Sequence, residues 1–295
     1  MFEFLFGKEP QIIPLSDFDG ENSKSLEAFK AEYSIKSGSY LDTPLTWYDS
    51  GTQGSPLVFL PGTTGKAEVW YPYLMRLKTT NRVLMPDFPQ VNTVEAFCDV
   101  LESWMTDLKV DKAIFVGQSF GGAMAQRFSD RYPEKVFKLV LLTSFSNTTS
   151  VKDKTRKNYN RSLSRFLKAT KDIKFSSLQK SIHKQVVKGV DVAFVEDKDF
   201  WKAYYGNMFL NSSIELLKCL HEIQIDFWRA VQHEPALYKG PTLLIEAKTD
   251  ASYDREEKSA LVKRYPNSKK LEFEGSSNLA HIRELSLIAD AIREF

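Results

Sequence analysis

The sequence predicts an α/β fold: a doubly wound, mostly parallel sheet interrupted by a helical insertion. Three observations lead there. Short apolar runs that do not alternate with polar residues recur along the 295-residue chain, with longer amphipathic stretches between them. Strands of that kind are buried on both faces, as in a parallel sheet whose crossovers are helices. A Gly117-Gln118-Ser119-Phe120-Gly121 sequence sits directly between one such run and a helical pattern. Finally, residues 147–235 carry helical periodicity and no good strand.

Taken in order, residues 1–35 read as mixed and loop-like, with Asp17, Asp19 and Glu21 around Gly20. Strands are expected at 45–49, 57–60, 82–86, 113–116, 136–143, 242–247 and 270–273, and helices near 69–78, 93–108, 120–131, 254–264 and 282–294. The alternation assigns residues 1–146 and 236–295 to the sheet-bearing core and 147–235 to a helical cap. No internal repeat or low-complexity tract is visible.

Composition narrows the function classes. Forty Lys and Arg against thirty-eight Asp and Glu leave a net charge of +2, too balanced for a dedicated nucleic-acid binder. Cys98 and Cys219 form neither a disulfide framework nor a metal-type spacing. No cluster of metal ligands and no G-x-G-x-x-G dinucleotide fingerprint is present, so no cofactor is expected. The first residues lack a basic segment followed by an apolar core, and nowhere do about 18 apolar residues run together. The expectation is a cytoplasmic globular protein.

Charge is distributed unevenly. Between 152 and 188 the basic residues are Lys152, Lys154, Arg156, Lys157, Arg161, Arg165, Lys168, Lys171, Lys174, Lys180, Lys184 and Lys188, against Asp153 and Asp172 alone. Such a segment is either a solvated helix surface or a contact for anionic lipid headgroups or an acidic partner.

The G-x-S-x-G turn carries the chemistry. A nucleophile on a tight strand-to-helix turn has strained dihedrals, so Gly117 and Gly121 must stay small while the Ser119 hydroxyl projects above the sheet. The Phe120 N–H faces a developing oxyanion, and Thr63, in the Leu60-Pro61-Gly62-Thr63-Thr64-Gly65 turn, is the expected second donor. Asp250, just after the 242–247 strand, stands where a catalytic acid belongs. In the loop after the last strand, the register counted from Gly275 lands on Asn278, not on histidine. Asparagine cannot take and hold the serine proton. Losing the base of such a triad costs roughly a millionfold in turnover, on the order of 8 kcal/mol of barrier. His281, three residues further on, is the only nearby candidate for a displaced base. His183, His221 and His233 lie in the insertion without motif support.

With Ser119, Asp250 and Asn278 in these places, the chain resembles the α/β-hydrolase superfamily, and within it is similar to the maspardin family. The similarity runs from about Trp47 onward. It includes Tyr48-Asp49-Ser50-Gly51, Gly65-Lys66-Ala67-Glu68-Val69, Glu95-Ala96-Phe97-Cys98-Asp99, Ala125-Gln126-Arg127-Phe128 and Ser144-Phe145-Ser146-Asn147-Thr148. It extends to an asparagine in the histidine position. The resemblance implies a catalytically degenerate α/β-hydrolase fold acting through protein partners in trafficking, with association with endosomal and trans-Golgi membranes. The competing expectation is a serine esterase or lipase using Ser119, Asp250 and His281.

Overall fold

The computed structural model describes residues 10–51, 54–172, 174–193, 195–249, 255–275 and 279–295. Eight strands form one sheet: β1 (Lys36–Tyr40), β2 (Thr43–Asp49), β3 (Ser55–Leu60), β4 (Asn81–Pro86), β5 (Ala113–Gln118), β6 (Val136–Leu142), β7 (Thr242–Ala247) and β8 (Lys269–Phe273). Their spatial order is β1-β2-β4-β3-β5-β6-β7-β8. β1 and β2 are antiparallel to their neighbours, and β3 to β8 run parallel.

The unalternating strand sequences have a direct cause. In β3, Leu57 and Phe59 enter one core cluster while Val58 and Leu60 enter the other. β6 divides likewise, Leu139 and Leu141 to one side and Val140 and Leu142 to the other. With helices on both faces, Leu57–Leu60 and Leu139–Leu142 are buried throughout and apolar throughout, while the polar or exposed positions, Ser55, Phe137 and Lys138, stand near the strand starts.

The helices are α1 (Glu21–Glu32), α2 (Tyr71–Leu77), α3 (Val94–Asp107), α4 (Phe120–Arg131), α5 (Asp153–Asp172), α6 (Phe175–Asp191), α7 (Lys198–Leu210), α8 (Ile214–Arg229), α9 (Arg255–Arg264), α10 (Ala280–Arg283) and α11 (Leu285–Glu294). Four of them, α5 to α8, occupy the stretch between β6 and β7. Thr93 caps α3 by accepting from the Ala96 N–H, and Ser213 caps α8 by accepting from Leu216. Among the described residues no helix is long and apolar enough to cross a membrane. Cys98 is buried and Cys219 half-buried, both as free thiols.

The amino-terminal region departs from the loop expected over 1–35. Helix α1 holds itself down with Leu26 and Phe29, the latter packed at tilted angles among Tyr33, Tyr48 and Tyr71. β1 is an unexpected edge strand, polar in sequence (KSGSY) because its residues are largely exposed. It turns into β2 through Leu41 and Asp42, both at positive φ (49° and 60°), the geometry of a two-residue hairpin turn. The single helix expected over 282–294 is two helices, broken at Glu284.

Candidate active site on the serine turn

The sheet order reverses direction at β3, flanked by β4 on one side and β5 on the other. Ligands of open α/β sheets bind at the carboxyl ends of strands at such a switch point. Ser119 follows β5 and the Gly62 turn follows β3, so both expected elements meet there.

The turn is built by steric necessity. Ser119 has φ 52° and ψ −121°, a conformation that a β-carbon disfavours. A β-carbon on Gly117 would lie 2.5 Å from the Gly121 oxygen, and one on Gly121 would lie 2.3 Å from the Leu60 oxygen. Both obstacles are backbone, so neither can yield. The Ser119 N–H donates to the Leu142 carbonyl at 3.0 Å and the Ser144 hydroxyl to the Ser119 carbonyl at 2.9 Å, tying the turn to the end of β6.

Around the serine lies a cavity of about 310 Å³. The strand-end loops supply Gly62, Thr63, Gln118 and Ser119 to its wall, and α6 and α7 supply Val186, Gly189, Tyr205 and Phe209. A β-carbon on Gly62 would stand 3.6 Å from that of Ser119, so this turn faces the hydroxyl at contact distance. Thr63, next in the turn, lines the same cavity. Phe120 begins α4, and the first amides of a helix have no partner within it. Its ring is buried against Phe88 and Phe227, fixing the start of α4.

His281 reaches the same cavity, but its ring faces other groups. Gln118 donates from Nε2 to His281 Nδ1 at 2.8 Å, and His281 Nε2 lies 2.9 Å from the Tyr205 hydroxyl. With an amide donor on Nδ1, the network places the ring proton on Nε2, directed at Tyr205. Both nitrogens are thus engaged, and Ser119 is not among the imidazole's partners. The ring packs edge-on against Trp70, and the His281 carbonyl accepts from Tyr73. Burial pushes its pKa down to about 3, so the ring is neutral at physiological pH.

Asp250 and Asn278 lie outside the described residues. Their flanks are adjacent: Thr249 donates from both its N–H and its hydroxyl to the Gly275 carbonyl, at 3.3 and 2.7 Å. Gln118 and Tyr205, which sequence reasoning did not single out, decide what His281 can do. Gln118 stood within the motif as its variable position; nothing in the run around Tyr205 marked it.

A family model described as alpha/beta hydrolase fold matches residues 55–285. The chain belongs to the α/β-hydrolase fold family. Within that family it is similar to maspardin from Danio rerio, with 34% identity over 108 residues, covering 35% of this chain and 34% of that protein. Maspardin from Homo sapiens is also 34% identical over 108 residues, 35% of either chain. The chain thus matches about a third of the length of these relatives. Among solved structures, a hydrolase from Pseudomonas aeruginosa PA01 superposes with a TM-score of 0.71 at 14% identity, covering 88% of this chain and 97% of that one. This likeness is one of fold.

Proposed function

We propose that this α/β-hydrolase fold protein is a maspardin-like, non-catalytic adaptor that acts through protein partners in endosomal and trans-Golgi membrane trafficking. The observation that carries the reading is the engagement of His281. Among the described residues, His281 is the one histidine lining the serine cavity; it is neutral and shares its nitrogens between Gln118 and Tyr205. Asn278 stands in the register of the base, and asparagine cannot act as one. The maspardin similarity supports the partner and membrane side of the proposal.

A second reading, a serine ester hydrolase with Ser119, Asp250 and His281, draws support from the intact serine turn and its cavity. Reaction with a fluorophosphonate probe separates the two. The adaptor reading expects labelling no greater than that of Ser119→Ala, and no turnover of a short-chain aryl ester. Stoichiometric Ser119-dependent labelling with turnover overturns it and makes His281→Ala the next variant.

A further inference from the structure

Helix α5 presents a basic ridge that the fold does not use. Its apolar side packs on α8, where Tyr159 stacks on Trp228 at 4.3 Å and Phe166 on His221 at 3.6 Å. Arg156 is also spent on structure, donating to Asn147 and to the Thr148 carbonyl. The outer side is different. Lys154, Lys157, Arg161, Arg165 and Lys168 recur at steps of three, four, four and three, all exposed. At 100° and 1.5 Å per residue these fall within about 80° of the helix circumference, along a line about 21 Å long. Lys171 continues at its edge, also exposed. Among the described residues none of these six has a carboxylate partner, whereas Lys152 just before the helix pairs with Glu256. Asp153, on the same edge as Lys171 but at the start of the helix, pairs with Arg156.

We propose that this ridge docks the protein on an anionic phospholipid surface. The shape and composition of the ridge select that occupant. It lies on the exposed side of a helix, and the exposed residues between the cations are Asn158, Ser162 and Ser164. A specific protein interface needs a desolvated apolar or aromatic centre set into a complementary surface, and this face has none. Diffuse headgroup charge needs neither groove nor anchor, and each Lys or Arg near such a surface adds attraction independently. Because the apolar side of α5 is already buried, contact is electrostatic and does not insert the helix between acyl chains. The inference deepens the membrane side of the proposed function and does not depend on the chemistry of Ser119.

The test is co-sedimentation of the full chain with phosphatidylcholine vesicles, with and without phosphatidylserine, at low and high salt. The variant is the combined Arg161→Ala, Arg165→Ala, Lys168→Ala, which raises helix propensity and removes no bond. Lys184→Ala with Lys188→Ala, on α6, controls for charge alone. The expected result is phosphatidylserine-dependent binding that salt abolishes. It should fall about fivefold per ridge residue removed, on the order of a hundredfold for the three, and less in the control. No phosphatidylserine-dependent binding, or equal loss in the triple variant and the control, overturns the proposal. Ridge-dependent binding to polyglutamate without binding to vesicles also overturns it and assigns the ridge to an acidic protein segment. Since fluorophosphonate labelling reads Ser119 and vesicles read α5, failure of one leaves the other standing.

Discussion

Gln118 and His281, 163 positions apart in sequence, share a 2.8 Å hydrogen bond at the floor of the serine cavity. This contact occupies Nδ1 of the imidazole that lines the serine cavity. A base for Ser119 would need a free ring nitrogen aimed at the hydroxyl. Here the Nδ1 lone pair takes the amide proton and Nε2 faces Tyr205 on α7.

Burial of that imidazole has a pH consequence. The folded pKa is about 3, below the ordinary value near 6.5. Between these limits the unfolded chain binds a proton that the folded chain excludes, so stability rises with pH through this window and is complete above it. Lowering pH from 7 to 5 should cost on the order of 2 kcal/mol through this residue. Urea denaturation at both pH values should show that loss in the wild type and a smaller one in His281→Gln. Equal losses would place the acid sensitivity elsewhere, for instance at His221, whose pKa burial also lowers.

The strain at Ser119 is measurable apart from any activity. Ser119→Gly and Ser119→Ala both delete the hydroxyl, but only glycine accepts φ 52° and ψ −121° without a clash. Thermal unfolding should find the glycine variant more stable than the alanine variant by about 1 kcal/mol. The reverse order would mean that the turn is relaxed.

Gly121→Ala tests the opposite case. Its new methyl would meet the Leu60 and Pro61 carbonyl oxygens at 2.3 and 2.4 Å, so α4 would have to move away from β3. A loss of about 3 kcal/mol or more is expected, read as a lower urea midpoint or failure to accumulate folded protein.

A further variant probes how the segment after β7 packs on α4. Arg264, on α9, is 1% exposed and binds Asp130 on α4 and the His233 carbonyl. Asp130→Ala leaves a buried guanidinium without its counter-charge, at an expected cost of about 3–5 kcal/mol. Asp130→Ala combined with Arg264→Met should recover much of it, and chemical denaturation of both variants checks this.

What could be read from the sequence follows from burial. The central strands were legible because both faces of β3, β5 and β6 meet core, leaving short apolar runs such as Leu57-Val58-Phe59-Leu60 that end at turn residues, too short for a buried helix. β1 was hidden because an exposed edge strand needs no apolar residues, and its Leu41-Asp42 turn lacks the usual glycine and asparagine. α1 was hidden because two anchors, Leu26 and Phe29, suffice for a helix lying on a finished core. The serine turn was legible because backbone crowding dictates Gly117 and Gly121. The surroundings of His281 were not, since long-range side-chain pairing leaves no periodic trace.

The crowding around Ser119 also bears on how such chains are recognised. Leu60, Pro61 and Gly122 press on the turn from their own backbones, so any chain that closes this sheet in this manner requires glycine on both sides of the bend. The motif is therefore a signature of masonry before it is one of chemistry. Searches keyed to it collect chains by how a strand meets a helix, and the reactive ones must then be sorted by what the imidazole touches.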